Sequence, residues 1–424
     1  MNRISGLAAA GCAAMTIASQ AQASSFAVRE NNAAGAATVF SGDVSAADSA
    51  ATAYNNPAGM TQLHGNQVEA GAVLIFPTIN FHGTATTAGV LPTPGNNGNN
   101  AGRPGLAPNF YGVLDLAEQW RLGIAINAPY ALLVKQNAGW YGRYLGIESE
   151  LMSTNINPSI AYKINDKISV GGGVSAQWLQ ATLSRGFNQS ALGAPDALVR
   201  YKGDDWGFGY NLGVFAKPWA GGQLGLTYRS KVSHQLQGDL DFLRVAAPLS
   251  GLLVSGAGTL DANTPAATTL GLTQAVTPQL NVSLSVQWTQ WSALKSVSIQ
   301  STTATAPIQT GFFDTWFTSL GASYRWSDAW TLRAGIGWDQ SPVDNRYRTV
   351  ILPDQDRYML GVGFGYKISD ALTLDGAYVH FFAPHSSMNG SINNTDNNPI
   401  AATILSGTYQ LSIDAVSLSL RYGF

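Results

Sequence analysis

Few residues in this chain could carry chemistry. Asp354, Asp356 and Arg357 stand together in "PDQDR", and paired acids of this kind suit calcium ligation or acid–base catalysis. The plainer reading, an ion-paired network that fixes a loop or rim, is the favoured one. The five histidines, His64, His82, His234, His380 and His385, show no metal-ligand spacing. His380 and His385 straddle a strand end and the loop after it, and read as polar surface. No GxSxG is present, and Gly361, Gly363 and Gly365 alternate along a strand instead of forming a phosphate loop. The expectation is therefore no metal, no cofactor and no enzyme.

The elements that must position anything functional are strands. The chain ends on "DAVSLSLRYGF", where Val416, Leu418, Leu420, Tyr422 and Phe424 alternate with Ser417, Ser419, Arg421 and Gly423. The same period of two recurs in "QLGLTYRSK" and "NVSLSVQWTQ". Charged residues make up only 11% of the chain, against about 25% in typical soluble proteins. Mean hydropathy is nevertheless just +0.02. Low charge without long apolar runs suits strands that face lipid on one side and water on the other. A net charge of −2 gives no reason to expect a nucleic-acid partner.

Connections alternate in length. Short turns fall near Glu118, Asn165, Pro218, Thr277, Ser327 and Ser369. Long links are expected over residues 83–105, 127–149, 186–196, 240–262, 301–310, 341–353 and 383–406. Short periplasmic turns and long external loops are the habit of outer-membrane barrels. About 14 strands fit between Gln67 and Phe424, which predicts an all-β membrane protein, an antiparallel outer-membrane β-barrel. Trp120, Trp288, Trp291, Trp326, Trp330, Tyr366, Tyr422 and Phe424 are expected to form its aromatic girdles.

The start of the chain has a different character. Arg3, an apolar run over residues 4–18 and "AQA" at residues 21–23 read as a signal peptide spanning 1–23, with a mature start at Ser24. The lone Cys12 would leave with it, although "AAGC" faintly resembles a lipoprotein site. Residues 24–64 lack strand alternation and are too few for an independent core. They read as a hatch plugging the lumen, or else as a disordered periplasmic tail. Residues 65–424 are the barrel.

Several segments together resemble the FadL family of outer-membrane transporters for long-chain fatty acids and related hydrophobic compounds. They are "FAVRENNAAGAATVFSGDVSAADSAATAYNNPAGM", with Asn56, Pro57 and Ala58 as its NPA motif, "WGFGYNLGVFAKP", "GLTYRSKV", "WDQSPVDNRYRTVILPDQDRYMLGVGFGY" and the closing "LSLRYGF". The resemblance implies a monomeric 14-stranded barrel in the outer membrane of a Gram-negative bacterium. Its hatch, with Phe26 and the NPA residues, would control passage. A hydrophobic ligand would land among the external loops, move to an interior pocket and leave sideways at a kinked third strand. "WRLGIAINAP" ends in Pro129, which cannot donate to a ladder. That permits a pairing break, although an ordinary strand end would look the same.

Two predicted loops are rich in apolar residues. "YALLVKQNAGWYGRYLG" offers Leu132, Leu133, Trp140, Tyr141, Tyr144 and Leu145, and "LDFLRVAAPLSGLLVSGAGTL" offers Phe242, Leu243, Leu249 and Leu252. Apolar surface on this scale is expected either to bind something or to pack as a lid. For a carboxylate ligand a cation beside the pocket would hold the head group. Arg185 stands where the resemblance places such an arginine, its alternative being a rim residue paired with an acid. Where a second basic residue would be sought, Phe313 stands, which weakens the case for a fatty acid and helps that for neutral aromatic or alkane hydrocarbons; long-chain fatty acids stay the leading expectation and hydrocarbons the alternative. An aqueous porin is the more distant reading, and it explains neither hatch nor apolar loops.

Overall fold

The structure, a computed structural model, describes residues 25–87, 91–301, 305–395 and 402–424. The expected signal peptide, with Cys12, lies outside the described residues. Burial along the strands is the reverse of a soluble protein's. In the last strand Val416 and Leu418 are 41% and 55% exposed, whereas Ser417 and Ser419 between them are 1% and 2% exposed. Apolar side chains pointing outward and polar ones inward suit a wall with lipid outside and a wet or plugged interior. Closure of the sheet then satisfies backbone groups that lipid cannot.

Among the described residues the strands make fourteen staves. β1 is Gln67–Thr87, β2 Gly105–Ala117, and β3 comprises Trp120–Asn127 and Ala131–Lys135. β4 is Glu148–Lys163, β5 Ile168–Phe187 and β6 Ala197–Ala216. β7 comprises Gly222–Arg229 and Val232–Leu243, β8 Gly256–Thr264 and Ala267–Ala275, β9 Leu280–Thr289 and Ser296–Ser301, and β10 Thr305–Gln309 and Thr315–Arg325. β11 is Trp330–Asp339, β12 Arg357–Lys367, β13 Leu372–Phe382 and β14 Thr403–Gly423. Each stave pairs antiparallel with the next, and β14 returns to β1 in unbroken register from Gln67 opposite Gly423 to Thr87 opposite Thr403.

The tight turns lie where the sequence placed them, but several long links are shorter than expected. The link over residues 240–262 is a hairpin whose strands run on to Leu243 and restart at Gly256. Residues 301–310 likewise lie mostly in a β9–β10 extension. Trp291 is also corrected. It sits in a break of β9 and is fully buried inside the barrel, with its ring 4.9 Å from that of Phe26 and 6.1 Å from that of Phe312. Trp120, Trp326, Trp330, Tyr422 and Phe424 are exposed on the outer surface, as girdle residues should be.

Candidate functional site

The segment from Ser25 to Leu63 lies within the ring of staves. It contains two short helices, α1 (Ala33–Ala37) and α2 (Thr52–Asn55), and a 3₁₀ turn over Pro57–Gln62. Asn32 caps α1 by accepting from Gly35 N at 2.9 Å, and Pro57 opens the 3₁₀ turn, where its missing N–H costs nothing. Asn56 has no exposed surface. Its Nδ2 donates to Val44 O (2.7 Å) and to Val214 O of β6 (3.1 Å), while Oδ1 accepts from Ala58 N (3.2 Å).

Glycines on the inner wall permit this close approach. A Cβ on Gly225 of β7 would lie 1.8 Å from Val44 O, and one on Gly213 of β6 would lie 2.2 Å from Asn56 Oδ1. Side chains of the wall complete the contact. Ala33 N donates to Ser419 Oγ at 3.1 Å, Arg421 Nη1 to Asp48 O at 3.0 Å, and Gly42 N to Ser285 Oγ at 3.1 Å. Arg421 and Arg333 also share the fully buried Asp375, whose carboxylate is thereby paired within the wall.

Upstream of α1 the chain behaves as a strand. β2 and β3 pair only as far as Phe110 opposite Ile126; the upper half of β3 pairs with β4 and, on its other edge, bridges the residues before β2, with Arg103 N donating to Leu133 O at 3.0 Å and Lys135 N to Ala101 O at 2.8 Å. Ala128–Tyr130 interrupt β3, and Pro129 supplies no N–H there. The N-terminal segment occupies this break: Val28 N donates to Pro129 O at 2.9 Å and Ala131 N to Phe26 O at 3.0 Å. Its end is held by the outer loop before β12. Asp354 Oδ2 accepts from Ser25 N (2.8 Å) and Ser341 Oγ (2.7 Å), and Oδ1 accepts from Arg357 Nη2 (2.8 Å), which also donates to Ser25 O (2.8 Å). Asp356 accepts from Trp338 Nε1 and Ser341 N, both at 3.1 Å. "PDQDR" is thus the ion-paired loop network that the sequence favoured. Burial raises the Asp354 carboxyl above its usual range and pushes that of Asp356 up to about 8.

Two apolar cavities flank this N-terminal strand. One, of about 140 Å³, lies among Phe26, Val28, Ile75, Ile79, Leu133, Phe381 and Ile413, with Arg103, Arg357, Glu30 and Asp354 also on its wall. The other, of about 80 Å³, is walled by Leu151, Leu179, Leu183, Leu260, Leu294, Val297 and Phe312. Phe26, Leu132 and Leu352 belong to both walls and divide them. Across Ala27 and Val28 lies a polar chamber of about 130 Å³ with Arg29, Asp43, Asn211, Arg229 and Gln287. Arg29 is tied to Asp339 at 3.1 Å and Gln287 at 2.7 Å, and Arg229 stacks 3.9 Å above the Tyr54 ring. No hydrogen bond or ion pair engages the Arg103 guanidinium among the described residues.

Of the residues singled out from sequence, Phe26, Leu132 and Leu133 line the first cavity, and Pro129 lies in the β3 break. Trp140 is fully buried against Phe81, centroid to centroid 5.7 Å, with Tyr141 and Leu145 packed on the same cluster. Tyr144 is buried, and its hydroxyl donates to Asp196 at 2.8 Å. These four pack among the loops, outside the lining of either apolar cavity. Phe242 packs half-buried beside Leu240, while Leu243 and Leu252 are exposed and Leu249 is half-exposed. Arg185 is half-buried near the outer end of β5, outside the lining of either apolar cavity. Phe313 also stands outside the lining, and its neighbour Phe312 is the one that enters it. Sequence reading missed Arg103, Trp291 and Leu352. Arg103 sits in "GRPG", where the glycines and proline read only as loop.

Comparison with known proteins places this geometry. The profile of the family described as outer membrane protein transport protein (OMPP1/FadL/TodX) matches residues 14–424. The long-chain fatty acid transport protein of Salmonella typhi is 28% identical over 392 residues, spanning 86% of this chain and 89% of the relative. Outer membrane protein P1 of Haemophilus influenzae strain Rd is 26% identical over 410 residues, spanning 87% and 88%. Among solved structures, a Pseudomonas aeruginosa FadL homologue superposes with a TM-score of 0.88 at 23% identity, covering 95% of this chain and all of the other. The Ralstonia pickettii toluene transporter TbuX gives 0.67 at 20% identity, covering 92% and 98%. These two structural likenesses establish the shared fold.

Proposed function

Because the chain belongs to the outer membrane protein transport family of OMPP1, FadL and TodX, we propose that it is a passive uptake channel in the cell outer membrane, most suited to long-chain fatty acids. The observation that carries this reading is the pair of apolar cavities divided by Phe26, with the unengaged Arg103 guanidinium on one wall. An acyl chain would extend past Phe26 and Leu132 while its carboxylate meets Arg103 by a charge-assisted hydrogen bond. Arg185, higher on β5, would meet the head group earlier on the route.

Passage then needs the N-terminal strand to leave the β3 break. A ligand that occupies the volume of Phe26 binds the displaced conformation better, and such differential affinity shifts the equilibrium toward an open route. The hatch residues Asn56, Pro57 and Ala58 would hold the remainder of the segment in place while its first residues move. The β2–β3 break at Pro129 would be the lateral exit. No step of this route forms or breaks a covalent bond, and the protein would act as a monomer within outer-membrane lipid.

A second reading, uptake of neutral aromatic or alkane hydrocarbons, is favoured by the cavity around Phe312, whose lining is almost wholly apolar. Equilibrium binding of oleate and of toluene to the detergent-purified barrel separates the two. Arg103→Ala should weaken oleate binding by about ten- to a hundred-fold, the loss of a hydrogen bond to a charged group worth about 1.5–3 kcal/mol, and leave toluene unchanged. Loss on Arg185→Ala alone would move the head-group site to β5. Tight toluene binding with oleate excluded would establish the hydrocarbon reading.

A further inference from the structure

The wall is also broken between β6 and β7. β6 and β7 pair from Asn211 opposite Arg229 towards the periplasmic turn, and again from Asp204 opposite Gln237 outward. Between these two ladders no ladder pair joins Asp205–Gly209 to Lys231–Leu236, and the register has slipped by one residue. Over the same stretch β7 stays paired with β8, from Val232 opposite Thr264 to Leu236 opposite Leu260. β7 and β8 therefore leave β6 together, and the wall opens along a single seam.

The β6 bank of this seam faces lipid, while Lys231, Ser233 and Gln235 stand exposed on the β7 bank. Trp206, Phe208 and Tyr210 point outward from β6, and Phe208 is 75% exposed. An unpaired seam at such a depth is unfavourable where lipid meets bare backbone, and it persists only where side chains close it. Here the closure is slight. Ser230 and Tyr210 are joined twice, Ser230 Oγ accepting from Tyr210 N and Tyr210 O accepting from Ser230 N, both at 2.9 Å, and Asp205 Oδ2 accepts from Gln235 N at 2.9 Å. Between these two latches the seam is covered from inside by the Val232 side chain. It lies over Gly207 and Gly209, where a Cβ would come within 2.5 and 2.8 Å of its methyl carbons. Behind Val232 is a small void that it shares with Gly209, Ser230, Tyr130 and Pro129. The void thus joins the β3 break to the β6–β7 seam across the lumen.

We propose that the β6–β7 seam is a second lateral portal, through which an apolar ligand passes between the lumen and the bilayer when the Val232 side chain swings away from Gly207 and Gly209. The proposal rests on the uptake reading above. The two glycines leave a slot on β6, the outward aromatics give that bank an apolar threshold, and Val232, with the His234 ring beside it over Gly207, is its gate.

A reversible lock tests it. Cys12 is the only cysteine of the sequence and lies in the expected signal peptide, so Gly209→Cys with Val232→Cys supplies one engineered pair across the seam. In liposomes containing the oxidised double variant, oleate uptake should fall at least two-fold and recover on adding dithiothreitol, with oleate affinity unchanged. Undiminished uptake with the disulfide verified by mass spectrometry would overturn the portal and leave the uptake reading intact. Absence of uptake by the unaltered protein would defeat both. Val232→Ala provides an independent arm that needs no disulfide: uptake should rise at least two-fold, and an unchanged rate would count against the portal.

Discussion

Replacing Phe26 by alanine should release the N-terminal strand without unfolding the barrel. The ring is buried and makes edge contacts with Trp291 at 4.9 Å and Tyr130 at 5.8 Å. Truncating a buried phenylalanine costs about 3–5 kcal/mol, and the lower end applies here because the ring already borders cavities on two sides. None of that loss falls on the fourteen-stave ladder, to which Phe26 contributes no strand. It falls on the docking of residues 25–28, whose remaining ties are the bonds to Pro129, Ala131, Asp354 and Arg357. About 3 kcal/mol is roughly a hundred-fold in the undocked population. The Val28 amide, which donates to Pro129 O, should therefore exchange with deuterium about a hundred-fold faster in Phe26→Ala, and oleate flux into liposomes should rise with it. If Val28 stays as protected as in the unaltered protein, while the variant is folded and lacks the phenyl ring, then aromatic packing is not what holds the strand, and the gating argument fails.

Gly225→Ala should displace the interior segment, since its methyl would occupy the place of the Val44 carbonyl; liposome swelling with small sugars should then speed up, whereas an unchanged rate would mean the segment shifts without opening a path. Asn56→Ala removes three hydrogen bonds of a fully buried side chain, and about 1 kcal/mol each gives roughly 3 kcal/mol of lost local stability, measurable as faster proteolysis within residues 44–58. Asp356 has its folded pKa raised to about 8, so the folded state binds the extra proton, and the stability it adds is complete at acid pH and is lost as pH rises towards 8. Thermal stability of the outer loop should accordingly decline between about pH 4 and pH 8 and level off above, and Asp356→Asn should flatten that slope.

Much of the barrel was legible because its physics is local. The alternation of Val416 to Phe424 reports two solvents on two faces, and each tight turn interrupts it with residues such as "ND", "SD" and "TP". Strand ends on the outer side were misplaced because a wall that leaves the bilayer keeps its period of two. Leu236, Leu240 and Leu260 keep pointing inward along the outer part of the wall, and nothing in their spacing marks where a strand ends. Pro129 announced the β3 break, since a residue without an N–H leaves a written trace. The β6–β7 seam has no such trace: "RSKVS" reads as ordinary strand, and the slip of register exists only between two chains' worth of pairing choices. The cavity residues divide in the same way. Leu132 and Leu133 stood out as apolar in an expected loop, whereas Arg103 and Trp291 acquire their places from cavity walls and rings supplied by segments hundreds of residues away.

The join of β1 to β14 bears on how the molecule is made. Every other seam links neighbours in sequence, but this one brings Gln67 against Gly423, and its closure must await β14, the stave farthest along the chain from β1. Joining such distant segments carries a large loop-closure entropy, so the neighbouring hairpins should form earlier and this seam last. The interior segment is the first part of the described chain and touches the final strand through Ala33 on Ser419 and Asp48 on Arg421. It must therefore be seated on the unfinished, open sheet before the ends meet. Assembly is then a wrapping of the sheet around its own beginning, and contacts normally credited to gating also help to set the order in which the protein is built.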